Sequence, residues 1–365
     1  QERPQLAWYV DPVELVRRTG QGNLSTQAGL AMIGGLGLDG LQAAGGTITF
    51  ATEEFDSIMH THLSLESPRE GVLKLIAMQS GDSTPEPWVP RDVASYFTLN
   101  WDVAQTYSEL KRLINIFRGE GEWEKSVAEP ISNRLGVDLQ REVVDTAEGR
   151  FTLITWMEKP ARLNSQARLV GIKLKDPAAT RQTLDRVLSR FGDRVQQQTF
   201  GGLVYHRAVM SAPRRPVDEQ TVRRPEPCLA ILGDYLVFSD STQLLQQAIT
   251  TNGDPTQSLN EELDYKLISS KIGRQLKTEK AGLVAFYRPE ELLRLIYEIA
   301  NAPTTRTRLR DQAGNNPVFR ALNNSLDKNP LPPFAVLARY LAPGGATITS
   351  DETGFHHTGF TLRRE

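Results

Sequence analysis

The sequence predicts an α+β protein, in which duplicated strand–cap–helix and hairpin modules form large antiparallel-rich sheets with helices on one face. Three observations lead there. A short apolar strand, a capping residue and an amphipathic helix recur as one phrase five times along the chain. Hairpin patterns are frequent, so strands outnumber helices. A hairpin near the start also returns near the end, which marks an internal repeat.

The phrase first appears as AWYVDPVELVR at 7–17. Trp8, Tyr9 and Val10 favour a strand. Asp11 can cap a helix, Pro12 suits its first position, where no N–H is needed, and Val13, Leu15 and Val16 give an apolar stripe. Residues 285–294, AFYRPEELLR, are a near-copy, with Ala7, Tyr9, Pro12, Glu14, Leu15 and Arg17 recurring as Ala285, Tyr287, Pro289, Glu291, Leu292 and Arg294. Between them, 95–117 has a strand, Asp102 and apolar residues at helical spacing. In 168–191, Val170, Ile172 and Leu174 alternate, Asp176-Pro177 caps, and Leu184, Val187, Leu188 and Phe191 form a helix face. Residues 228–249 read as a hairpin turning at Gly233-Asp234, then a helix capped at Asp240 or Ser241.

A second phrase, Leu-Gly-apolar-Asp before a short helix or turn, occurs at 36–39 and 135–138. The third is the hairpin: GGTITF…HTHLSL at 45–65 matches GGATIT…HTGFTL at 344–362. These matches divide the chain into a tail half-module at 1–79, a linker at 80–90, the N-terminal part of a complete repeat at 91–250, and its C-terminal part, related to 1–79, at 251–365. A half-module cannot bury its own sheet face, so 1–79 is expected to pack on the complete repeat or continue its sheet. Pro, Gly, Arg and polar residues at 80–90, 211–227 and 301–317 read as loops.

The 365 residues carry a net charge of -2, with 39% hydrophobic and 24% charged residues. That balance gives no global attraction to nucleic acid or to an anionic membrane. The apolar runs are too short for a membrane span. One cysteine, Cys228, excludes a disulfide framework and reads as a buried, inert thiol. No nucleophile elbow, P-loop, EF-hand or H-E-x-x-H appears. Gly35–Gly40 matches G-x-G-x-x-G, but a helix end precedes it where a dinucleotide site needs a strand, so it reads as a turn.

The chemical-looking feature is His60-Thr-His62. Residues two apart on a strand share a face, so both imidazoles are candidates for one metal. His356-His357 in the matching hairpin face opposite ways, and a shared site requires the two hairpins to meet, with Glu53, Glu54, Asp351 and Glu352 as turn carboxylates. His206 reads as a strand residue. Trp8, Tyr9, Tyr96, Phe97, Trp101 and Trp156 lie on predicted strands, half of them expected in the core. Arg306, Arg308 and Arg310 form a basic loop that is a candidate contact for an acidic partner. No cofactor is called for.

PQLAWYVDPVEL, WVPRDVASYFTLNWD, LGVDLQREVV, VGIKLKDPAA, GDYLVFSDSTQLL and the segment from YLAPGGATIT to HTGFTL resemble the bacterial domain-of-unknown-function 3352 family, in its long planctomycete-type form. The resemblance covers essentially the whole chain. It implies an extracytoplasmic protein, and that this chain, which begins with Gln1, is the C-terminal portion of a longer exported precursor. It brings no catalytic residues. The expected function is therefore a non-enzymatic exported binding or scaffold protein of a cell-envelope assembly. Its expected partner is another protein, such as the N-terminal portion of its own precursor. The alternative is a metal-binding protein or metal-dependent hydrolase using His60 and His62.

Overall fold

A computed structural model of the chain describes residues 3–20, 33–210, 218, 221–277, 279–303, 305, 307, 310–311, 317–329 and 331–364. Its strands are β1 (Leu6–Val10), β2 (Leu41–Phe50), β3 (Phe55–Leu65), β4 (Ser95–Asn100), β5 (Ala147–Met157), β6 (Gln166–Leu174), β7 (Val195–Phe200), β8 (Leu203–Ala208), β9 (Cys228–Leu232), β10 (Tyr235–Ser239), β11 (Leu283–Tyr287), β12 (Gly344–Asp351) and β13 (Gly354–Leu362). The helices are α1 (Pro12–Thr19), α2 (Gly71–Lys74), α3 (Val103–Arg118), α4 (Glu129–Leu135), α5 (Pro177–Ser189), α6 (Thr242–Gly253), α7 (Leu263–Leu276), α8 (Pro289–Asn301), α9 (Pro317–Lys328) and α10 (Phe334–Ala338).

The expected α+β class is what the chain adopts, and its sheets merge into one. Among the described residues, the thirteen strands form a single sheet in the order β1-β2-β3-β13-β12-β11-β4-β5-β6-β10-β9-β8-β7. The half-module at 1–79 continues this sheet through antiparallel pairing of β3 with β13. Outward from that seam the duplicated elements stand in matched order: β3 and β13, then β2 and β12, then β1 and β11. The double glycines lie opposite aromatics. Trp8 pairs with Gly46 and Tyr9 with Gly45, just as Phe286 pairs with Gly345 and Tyr287 with Gly344. A Cβ on Gly46 would lie 2.5 Å from the His60 carbonyl oxygen and 3.0 Å from the Trp8 indole nitrogen, so glycine lets both the β3 backbone and the Trp8 ring approach.

Four of the five strand–helix phrases hand over to their helix through a side-chain cap. Asp11 accepts from Glu14 N at 2.8 Å, Asp102 from Gln105 N at 2.8 Å, and Ser241 from Leu244 N at 3.2 Å. Asp176 accepts from Ala178 N and Ala179 N at 3.0 and 2.9 Å. Arg288 breaks the pattern: it caps nothing with its side chain, and its guanidinium donates to the Arg91 carbonyl at 2.8 Å. The repeated Leu-Gly-apolar-Asp phrase has one geometry in both copies, with Gly37 and Gly136 each at φ 71°. Only glycine enters that left-handed region without steric cost.

The main core lies where α6 and α7 cover one sheet face. Tyr96, Ile154, Leu169 and Phe286 from the strands meet Leu244, Leu245 and Ile268 from the helices, all fully buried. A smaller cluster on the opposite face joins Leu65 and Phe355 to Leu73 of α2.

The segment 80–90 corrects its reading as a loop outside the core. Trp88 is 1% exposed and Val89 fully buried, with the Trp88 ring edge-on to Tyr235 at 5.5 Å. Its three prolines forbid regular structure but do nothing to prevent burial.

Candidate functional site: a polar cleft over the repeat seam

Strand alternation and register decide which side chains share a face. Thr47 is opposite His60, His60 opposite Thr358, and Thr358 opposite Thr347. One step along, His62 is opposite His356, and His356 opposite Thr349. Ile58 and Phe360, two residues from His60 and Thr358, belong to the main core. The threonines and histidines therefore continue the core-facing side of the sheet past the point where α7 ends. A cleft of about 710 Å³ stands over them, walled by Gln275 and Leu276 of α7 and by Glu279. The α7 wall is tied to the β2–β3 turn, where Glu54 accepts from Arg274 at 3.1 Å and also pairs with Lys271.

At one end of the cleft four groups converge. The His62 and His356 rings stack in parallel, with centroids 4.2 Å apart and an interplanar angle of 4°. Both Nε2 atoms lie 3.3 Å from the Thr353 hydroxyl, which donates to Asp351 Oδ1 at 2.7 Å. His356 Nε2 also meets Asp351 Oδ2 at 3.0 Å. The Thr353 hydroxyl, with help from its backbone N–H and from His356, holds the Asp351 carboxyl down at about 2. Arg69 fixes the turn that carries these groups: it donates to Ser350 Oγ at 2.9 Å and to the Asp351 and Gly354 carbonyls, and lies 4.3 Å over the Phe355 ring.

His60 and His62 do share a face, but they do not form the close pair. His60 Nδ1 meets the Thr358 hydroxyl at 3.1 Å, while His62 finds its partner across the seam in His356. Among the described residues, no three of His, Cys, Asp and Glu are placed to hold a metal ion as they stand. At the His62–His356 pair the parallel stacked rings and the intervening Thr353 hydroxyl keep the nitrogens from converging on one point.

His357 lies on the other face, where burial lowers its basicity. His206, on β8, is also lowered by burial. Burial pushes the Cys228 thiol up to about 12, which keeps it a protonated, unreactive group. Arg310 is helical, as are 303, 305, 307 and 311, which corrects the reading of 301–317 as a loop; it is exposed and already has an interaction partner. Arg306 and Arg308 lie outside the described residues. Of the strand aromatics, Tyr96 is fully buried and Tyr9 is 72% exposed. Among the described residues, no helix is long and apolar enough to cross a membrane.

Sequence reasoning missed Thr353 altogether, and no spacing rule marks it. His356 was visible only on condition that the two hairpins met.

No family model and no curated protein matches the chain. Among solved structures, crystal form I of TP0453 is similar to it, with a TM-score of 0.34 and 9% identity over 78% of this chain and 81% of that one. A likeness of that size says nothing about what this chain does.

Proposed function

We propose that the chain is a non-enzymatic exported binding or scaffold protein of a cell-envelope assembly, and that it holds its partner on the open Thr–His face over the repeat seam. The observation that supports this reading is a change of character along one sheet face. Under α6 and α7 the face is apolar core; beyond α7 it becomes hydroxyls and imidazoles beneath an open cleft. A polar concave floor beside an apolar core suits a ligand that brings its own hydrogen bonds. Export rests on the resemblance to the domain-of-unknown-function 3352 family. The partner class is protein, and the first to try is the N-terminal portion of the chain's own precursor.

The test is site-directed photo-crosslinking in the native cell, with the probe at Thr349 in the cleft and, as control, at the exposed Val170. A defined adduct from Thr349 alone is expected. Equal labelling from both positions, or none from Thr349, overturns the reading.

A second reading has its own observation. The two Nε2 atoms and the Asp351 carboxylate surround a single hydroxyl, so unstacking the two rings and turning Thr353 away would give a two-histidine, one-carboxylate set. On that reading the metal site of the alternative function shifts from His60 and His62 to His62 and His356. Zinc titration of untagged protein decides it: one ion per chain, lost in His62→Ala/His356→Ala, is expected, and unchanged binding in that variant sinks it.

A further inference from the structure

We propose that the outer edge of β1 is a docking site for a β4-type strand carried by another protein module, which lengthens the sheet by antiparallel pairing. The internal duplication supplies the template. β11 is the counterpart of β1, and it has two neighbours: β12, the counterpart of β2, and β4 on its other side. β1 has β2, and among the described residues no strand pairs with its other side. Among the described residues, the place that β4 fills beside β11 is thus open beside β1.

The same template states the chemistry of the occupant. In the filled copy Tyr287 is opposite Ser95, Phe286 opposite Tyr96, Ala285 opposite Phe97 and Val284 opposite Thr98. Carried across, the docking strand puts a small residue opposite Tyr9, aromatics opposite Trp8 and Ala7, and a β-branched residue opposite Leu6. This chain's own β4 cannot serve, because it is paired on both sides, with β11 and β5. Among the described residues no other strand is free to take the place, so the proposed strand is one carried by a separate module.

Two further observations point the same way. β1 reads LAWYV, without charge, proline or bulge, and leaves Tyr9 72% and Leu6 45% exposed. Those are the features that edge strands avoid when they must stay unpaired. The helix after β1 is also short of cover. In the complete copy α8 leans on β5, the strand beyond β4. α1 has no buried residue, and its Val16 is 45% exposed where the counterpart Leu293 of α8 is half-buried. A docked module bearing the equivalents of β4 and β5 would cover Val16 in the same way.

This proposal stands independently of the cleft. Its test uses the full chain and a synthetic peptide with the sequence of residues 91–101, followed by backbone hydrogen exchange. Saturable binding is expected, with β1 amides slowed about tenfold or more. The effect should vanish in Leu6→Lys/Tyr9→Lys and with a peptide N-methylated at alternate residues, which cannot pair. Exchange in β5, β6 and β10 reports that the variant is folded. β1 exchange unchanged at saturating peptide overturns the proposal. So does a homodimer that those two substitutions dissociate, because β1 would then be covered by a second β1.

Discussion

Arg150 is 7% exposed and is held on all sides. Its guanidinium lies 3.1 Å from Glu86 and 3.0 Å from Asp82, and donates to the Thr98 and Tyr96 hydroxyls at 3.2 Å each. Glu86 is itself 3% exposed and accepts from Thr152. Burial still pushes the Glu86 carboxyl upward despite the attraction of Arg150. The charged cluster anchors the buried strap 80–90 to the middle of the sheet. Arg150→Met leaves Glu86 enclosed without its counter-charge, and a loss of about 3–5 kcal/mol is expected in urea unfolding. The pH dependence has a definite sign. A carboxyl raised in the folded state binds its proton more tightly there than in the unfolded chain, so its ionisation works against folding. The loss in Arg150→Met should therefore shrink at acid pH and grow as pH rises past the usual carboxylate range. A pH-independent loss below about 1 kcal/mol would show that Arg150 only fills space.

At the scale of elements, the capping residues were readable because a helix start makes local demands. Its first N–H groups need an acceptor, and an Asp or Ser before an apolar stripe supplies one. Asp11, Asp102, Asp176 and Ser241 all cap as their positions suggest. Asp240, the other candidate beside Ser241, instead receives Arg223 at 3.2 Å. Asp176→Ala should cost about 1 kcal/mol, because two amides of α5 lose their acceptor. Asp176→Asn should recover most of it. Equal losses for the two substitutions in thermal melts would mean that charge, not capping, matters there. The strap 80–90 shows the opposite case. Its burial depends on Gly171, where a Cβ would come within 2.7 Å of the Trp88 ring. Nothing local to PEPWVP announces that contact, because the cavity it fills is made by strands that lie far along the chain.

At the scale of the whole molecule, the β3–β13 seam makes two repeats one sheet. Phe360, 2% exposed, packs on Phe55 across it with ring centroids 4.9 Å apart. If the repeats share one opening, amides of β2 and β12 exchange with one common free energy. Phe360→Ala should lower both together, by about 3–5 kcal/mol. Faster exchange in β12 alone would show that the half-module opens independently.

Periodicity, caps and the duplicated phrases determined the α+β class, the strand–helix joins and the kinship of 1–79 with the end of the chain. Those are short-range properties, set by side-chain alternation and by backbone groups within a few residues. They also placed His60 and His62 on one face, since that follows from a period of two. What the tertiary structure alone decided is which strands lie side by side. The pairing of β3 with β13 brings His62 to His356 and Thr353, and leaves β1 at the margin of the sheet. That choice is made by apolar faces burying one another across hundreds of residues, a sum over the whole chain that no stretch of it contains.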